Sequence, residues 1–423
     1  MAVANLIGAR MAKSLRILAS VYACDPELGS EDGNGWNLIN QLARIGEIWA
    51  VTLPVNQASI ERSLVHNPLP NVHWIFYDIP AWMRTWHVNR RHERVHYTLW
   101  QIGMYRMIKT LHDTVKFDVV QHLTWGQYWS ANYLPLLEDT QFIWGPVGGG
   151  ESAPHSFYSS LGSEGLRYER MRDFARITGH FHPFVRRCAQ SADIAIAATK
   201  QTEERLLQLG TPSERIRIQP NAGLPRENFE ELSQIPVRQE GPFRLVSIGR
   251  LLHWKGFYLG LQAFAKAHKD MPESEYWVIG DGPDMDRLKQ IAVDNNITDK
   301  VKFWGRVPRT QVLECLEQCD VMVHPSLHDA GGWATMEAMS AGRPVICLDL
   351  GGPGVQVTEE TGFKVPAITP DQSVDDMAKA MIKLACDPIL RKSMAEKGRE
   401  RIDKHFVWDQ IGNFLASLPP YTS

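Results

Sequence analysis

Residues 324–354, HPSLHDAGGWATMEAMSAGRPVICLDLGGPG, place two of their carboxylates, Asp329 and Glu337, eight positions apart on either side of a glycine pair. The run MEAMSAG reads as a short amphipathic helix behind a Gly-rich loop, and a helix N-terminus leaves backbone amides free to meet an anion. A carboxylate at each end accepts hydrogen bonds from sugar hydroxyls, while the amides of Gly331, Gly332 and Trp333 face the negatively charged part of a ligand. A helix cap beside a solvated glutamate would be written with the same letters. A second segment, SIGRLLHWKGF over 247–257, places Arg250 and Lys255 in the loop that opens the next helix, two cations where a diphosphate needs neutralising. Taken singly, these cations also fit an ordinary charged surface. Both loops follow strands, and strand-end loops of one doubly wound domain share an edge of its sheet, so the two half-sites are expected to converge on one crevice.

Parallel sheets are what would hold loops in that way. From Leu15 onward, short β-branched runs alternate with helical stretches, the pattern of βαβ units. The strand candidates are RILASVYA, EIWAVTL, VHWIFY, FDVVQHL, QFIWG and DIAIAAT, then FRLVSIG, YWVIG, VKFWG, DVMVHPS and RPVICLDL. Helices are expected around 34–46 and 89–112 and again after Asp371. The fold class is α/β, two Rossmann-like domains facing each other across a cleft. The stretch 222–242, rich in Pro, Gly and charge with no apolar period, reads as the linker. It divides the chain into residues 14–222, 223–405 and a final segment, 406–423, whose helically spaced apolar residues suit packing back on the first domain.

Composition narrows the function classes. Across 423 residues, 45 Lys and Arg stand against 48 Asp and Glu, a net charge of −3, so no nucleic-acid partner is expected. With 44% hydrophobic residues the chain is too apolar for intrinsic disorder, yet no run approaches the roughly 18 apolar residues of a spanning helix. Six scattered cysteines without a Cys-x-x-Cys pair suit a reduced, cytoplasmic protein. RMAKSLRILASVYA superficially resembles a secretory signal, but Arg16 interrupts its apolar run and a buried first strand is the better reading.

The segments SIGRLLHWKG, VIGDGPDMDRL, VKFWGRV and HPSLHDAGGWATMEAMSAGRPV resemble glycosyltransferases of family 4, and the resemblance extends over nearly all of residues 14–416. It implies the two-domain GT-B architecture and retention of anomeric configuration, with the C-terminal domain binding a nucleotide-diphosphate sugar and the N-terminal domain presenting the acceptor. Arg250 and Lys255 would then bind the diphosphate, Glu337 the ribose hydroxyls, and the first carboxylate of the family's E-x7-E motif the donor sugar. Here that carboxylate is Asp329, one methylene shorter. The resemblance further implies a donor-side loop containing Gly33 in CDPELGSEDGNGWN, a backbone base pocket near Gly305 to Val307, and a catalytic histidine near the anomeric carbon, for which His122 in FDVVQHLTWG is the match; a buried, merely hydrogen-bonded histidine fits those letters equally. In GPVGGGESAP, Gly148 and Gly149 let the backbone approach a ligand closely, so this loop is expected to form the acceptor-side wall, with Glu151 meeting a hydroxyl. An ordinary turn is the alternative.

Two further patterns have more than one reading. Asp284-Met285-Asp286 spells the D-x-D of metal-dependent enzymes but opens a helix, where acidic residues suit the dipole, so no metal is expected. WMRTWHVNRRHERVHYTLW, residues 82–100, mixes Trp with Arg and His, as a membrane-surface helix would, or a helix burying its tryptophans. The sequence therefore points to a hexosyltransferase without cofactor, acting on a saccharide or lipid-linked saccharide, cytoplasmic with peripheral contact at the inner membrane surface. A sucrose-type or sugar-phosphate synthase on the same scaffold, and a non-catalytic nucleotide-sugar-binding regulator, are the rival readings. The missing G-x-G-x-x-G after the first strand argues against a dinucleotide enzyme.

Overall fold

The structure is a computed structural model that describes residues 14–86, 93–238, 241–271 and 273–422. Two wholly parallel sheets organise it. The first has seven strands, β1 (Arg16–Ser20), β2 (Glu47–Thr52), β3 (Val72–Phe76), β4 (Val119–His122), β5 (Gln141–Val147), β6 (Ile194–Ala197) and β7 (Ile216–Ile218), in the order β3-β2-β1-β4-β5-β6-β7. The second has six, β8 (Phe243–Ile248), β9 (Ser274–Ile279), β10 (Val301–Gly305), β11 (Val321–His324), β12 (Val345–Leu348) and β13 (Gly362–Val365), in the order β10-β9-β8-β11-β12-β13. The central strands are buried on both faces, as in Ile194–Ala197 and Val321–His324, which is why they read as unbroken apolar runs. Each strand expected from the sequence is present. The two that went unseen, β7 and β13, are short edge strands, IRI and GFKV, with a charged residue in each.

Strand order fixes where ligands can enter. In the first sheet β1 pairs β2 on one side and β4 on the other; in the second, β8 pairs β9 and β11 in the same way. Chain direction around the sheet reverses at each of these pairs, and the loops beyond their carboxyl ends diverge to leave a crevice.

The linker is more structured than its composition suggests. Within 222–242 a helix runs from Arg226 to Ser233, held because Arg226 pairs with Asp403 and Asp409 and because Leu232 is buried against the second domain. Beside it the chain crosses back. Leu224 donates its N–H to the Phe406 carbonyl at 2.8 Å and accepts from the Trp408 N–H at 3.1 Å, so the outgoing and returning segments are bonded side by side. The helix Trp408–Ala416 then packs on Ser30–Leu42, and Trp408, Ile411, Leu415, Leu418 and Tyr421 join the core formed by Ile17, Leu38 and Ile48.

The 82–100 stretch is not one helix. A 3-10 segment, Ala81–Trp86, precedes a helix from Glu93 to Val115, and Trp100 of that helix is fully buried; residues 87–92 lie outside the described residues. Among the described residues no helix is long and apolar enough to cross a membrane.

Candidate active site

A cavity of about 410 Å³ lies where the two switch points face each other. The first sheet contributes Glu31 beyond β1, Trp125, Gln127 and Trp129 beyond β4, and Gly148, Gly149 and Glu151 beyond β5; the second contributes Trp254 and Lys255 beyond β8 and His328 and Asp329 beyond β11. Strand-end loops that the sequence marked in different domains thus form one wall-to-wall site.

Lys255 and Asp329 are not independent ligand groups. Lys255 Nζ lies 2.5 Å from Asp329 Oδ2, His324 Nε2 lies 3.2 Å from the same oxygen, and Asp329 Oδ1 accepts the Gly332 N–H at 3.1 Å. Burial alone would raise the Asp329 pKa, but Lys255 and then His324 outweigh it and hold the carboxyl far below the usual carboxylate range. The Asp329 carbonyl also accepts the Gly352 N–H at 2.6 Å. One short side chain therefore fixes the lysine and the glycine loop together.

The other wall is aromatic and tightly braced. Trp125 has φ +59°, a left-handed conformation costly for a bulky residue, and its N–H donates to Glu31 Oε1 at 2.7 Å. Burial raises the Glu31 pKa, opposed by that same hydrogen bond. Arg172, on the helix Gly162–His180, holds its guanidinium 5.8 Å from the Trp129 ring and again 5.8 Å from the Tyr168 ring, and donates to the Glu151 carbonyl at 3.1 Å. Among the described residues its Nε has no hydrogen-bond partner. The Glu151 carboxylate, at the cavity wall, accepts from the Gly149 N–H at 2.8 Å and from the hydroxyls of Thr199 and Thr202 at 2.6 and 2.9 Å, which braces this loop.

Where the domains touch beside this cavity, Tyr168, Trp254 and His328 form a stack. Tyr168 and Trp254 lie 4.8 Å apart at 14°, Trp254 and His328 5.2 Å apart at 17°. Beneath it the fully buried Glu169 accepts from or pairs with His328 at 2.9 Å, with His253 at 3.5 Å.

Several expected site residues do not line this cavity. His122 is a core residue on β4, 1% exposed, with Nε2 3.1 Å from the Tyr97 hydroxyl, and burial pushes its pKa down to about 3. It does not line the cavity. Gly33 belongs to the helix Ser30–Leu42, not to a loop; a Cβ there would stand 2.5 Å from the Leu28 carbonyl oxygen, so close packing accounts for the glycine. Glu337, on the helix Trp333–Ser340, is bound to Arg309, and although burial pushes its pKa up, Arg309 opposes the shift. Gly331, Gly332 and Trp333 open that helix, with Gly332 at φ +62° and the Gly331 carbonyl accepting from Gln356 at 2.7 Å. Arg250 is exposed and, among the described residues, makes no ion pair, while Val307 packs on the second-domain core. Asp284 occupies the N-cap position of Met285–Asp294 without a side-chain capping bond, with Arg287 3.8 Å from its Oδ2; among the described residues no cluster suited to a metal ion occurs.

What sequence reasoning missed are the tryptophans, Glu31 and Arg172. TWG directly after a strand was the one legible signal, since an aromatic at a strand end lies on the ligand edge of the sheet.

With this geometry in view, comparison with known proteins is informative. Residues 228–401 match the family of glycosyl transferases group 1. A glycogen synthase of Mycobacterium tuberculosis is 26% identical over 42% of this chain and 42% of its own length, and the lipopolysaccharide core biosynthesis glycosyltransferase LpsE of Rhizobium meliloti is 28% identical over 54% of this chain and 66% of its own. The match thus spans less than two thirds of each relative. HepE of Anabaena, solved in complex with UDP, superposes with a TM-score of 0.56 over 96% of this chain and 100% of that one, at 15% identity, a likeness of fold. Residues 228–401 are thus similar to the group 1 glycosyl transferases, and the fold joins them to a facing α/β domain in the GT-B arrangement.

Proposed function

We propose that this protein transfers a hexose from a nucleotide-diphosphate sugar to a hydroxyl of a saccharide or lipid-linked saccharide, with retention at the anomeric carbon. The observation that carries the reading is the interdomain cavity itself, where Lys255 and Asp329 of the group 1 domain face Trp125, Trp129 and the Gly148-Gly149 backbone. Cations and loop amides suit a diphosphate, and aromatic rings suit the apolar faces of sugars.

In this scheme the bond from the anomeric carbon to the diphosphate oxygen breaks with its electron pair leaving on the diphosphate, stabilised by Lys255, by Arg250 at the rim and by the amides after Gly331. The acceptor oxygen attacks from the same face and its proton passes to the departing phosphate oxygen. Asp329 orients the donor sugar while fixing Lys255, and Glu337 exchanges Arg309 for the ribose hydroxyls. No metal or cofactor enters this scheme. His122 has no step in it.

Release of nucleoside diphosphate from UDP-, GDP- and ADP-sugars, with and without saccharide acceptors, tests the reading, and proton spectra of the product report retention. If none of these donors is turned over and none raises the melting temperature, the assignment fails.

A further inference from the structure

The helix Gly162–His180 is inside out. A surface helix ordinarily turns apolar side chains to the core and charges to water. This one buries Gly165, Glu169, Arg176 and Gly179, and shows solvent Met171, Phe174 and Ile177, followed by Phe181 just past its end, exposed by 59%, 69%, 60% and 70%. The inward polarity has its explanation in the cleft, which Arg172 lines and where Glu169 meets His328. The outward strip, with spacings of three and four residues, is continuous along one face.

A shallow groove of about 650 Å³ takes in Met171 and Phe174 of this strip and is lined as well by Leu166, Arg94, Arg167 and Arg170, while Ile177 and Phe181 carry the strip on into a neighbouring hollow, where Asp173 is paired with Arg176. Among the described residues no carboxylate lines this groove and none of the three arginines makes an ion pair. An apolar strip rimmed by unpaired cations complements the interface of an anionic bilayer, where aromatic and aliphatic side chains enter the acyl boundary and guanidinium groups meet lipid phosphates.

We propose that this face of the 162–180 helix docks the protein on an anionic membrane surface, and that the acceptor is accordingly lipid-linked. The second clause rests on the transfer reading above; the docking does not. Because one helix carries the bilayer on its outer face and the cleft on its inner face, an acceptor headgroup standing in the membrane is delivered about one helix diameter, roughly 10 Å, from the bilayer boundary.

Sedimentation of the full chain with vesicles tests it. Binding is expected to phosphatidylglycerol–phosphatidylcholine vesicles, weak with phosphatidylcholine alone, and reduced at 1 M salt, where the screening length falls to about 3 Å. Arg167→Gln with Arg170→Gln should lower partitioning roughly 30-fold. Phe174→Glu with Ile177→Glu should abolish it; both pairs are exposed, so melting temperature and donor hydrolysis in solution should stay unchanged. Absence of binding by the unmodified chain, or binding indifferent to both pairs, overturns the proposal, as does a wild-type dimer in sedimentation velocity that Phe174→Glu dissolves with no vesicle binding. Vesicle binding without turnover of any donor would sink the transfer reading and leave the docking intact; turnover on soluble acceptors without vesicle binding would do the reverse.

Discussion

Glu169 and His328 belong to different domains and are separated by 159 positions, yet Oε1 and Nε2 lie 2.9 Å apart in a site closed to water. Burial would raise the Glu169 pKa, but His253 and His328 outweigh it and hold the carboxylate below its usual range. The contact ties the helix behind the cavity to the loop that carries Asp329. Glu169→Ala should destabilise the closed molecule by about 1 to 3 kcal/mol, the cost of leaving the buried His328 imidazole without its acceptor, whereas Glu169→Gln, which can still accept from His328, should lose less. Thermal melting of the two variants checks this; equal losses would show that the charge is immaterial.

The same pair sets an acid limit. His328 is pushed down to about 4, chiefly by burial and against the pull of Glu169, while an imidazole in the unfolded chain titrates near 6.5. Between these values the unfolded state binds the proton and the folded state does not, so stability is whole above about pH 6.5 and falls as the pH drops toward 4. Glu169, with its depressed pKa, adds a loss of the same sign at still lower pH. His328→Gln should flatten the dependence of melting temperature on pH between 6.5 and 4. Buried His122 and His324 have lowered pKa values as well, so the slope should shrink without vanishing.

Lys255 and Asp329 should behave as one unit. Each single change, Lys255→Met or Asp329→Asn, leaves a partner without its counter-charge, so the double variant should be more stable than the two single losses add up to, with a coupling of about 1 to 3 kcal/mol. Denaturant titration of the four proteins gives the coupling. Additive losses would mean that the 2.5 Å contact has no energetic content.

Gly33 discriminates packing from ligand approach. Gly33→Ala brings a methyl against the Leu28 carbonyl and should cost roughly 1 to 3 kcal/mol of stability, with donor affinity per folded molecule unchanged. Calorimetric titration with nucleotide after correction for folded fraction reads the second half; weakened affinity alone would restore Gly33 to the site.

Lys116 offers a gain. It follows the helix Glu93–Val115 at φ +57° with its N–H donated to the His112 carbonyl at 2.9 Å, a position suited to glycine. Lys116→Gly should raise stability by about 1 kcal/mol, read as a higher denaturant midpoint with unchanged slope.

Legibility followed burial and locality. Strands such as IAIA and VICL were plain because both faces are covered, whereas IRI and GFKV, at sheet edges, carry too few residues for any period to register. Lys255, Asp329, Gly148 and Gly149 were found because charge or glycine directly after a strand is a local signal of a ligand edge. Glu31 and Arg172 gave none: one sits in the first turn of a helix, the other on a helix whose polar stripe reads like any solvated face, and only the second sheet opposite makes them cavity wall. His122 shows the converse, a chemically suggestive side chain one step too far inside the strand, where burial leaves it neutral.

The paired crossing at Leu224 and Val407 governs how these halves could be exchanged between relatives. A single breakpoint after the first domain would transplant the returning helix with the wrong partner, stranding Trp408, Ile411 and Tyr421 against a foreign surface and leaving Gln121 without the Tyr421 hydroxyl that donates to it. A functional chimera needs two junctions, at both passes of the chain through the interface. Exchange of the second domain among such proteins is therefore a cassette insertion into a host that supplies the segments on both sides of it.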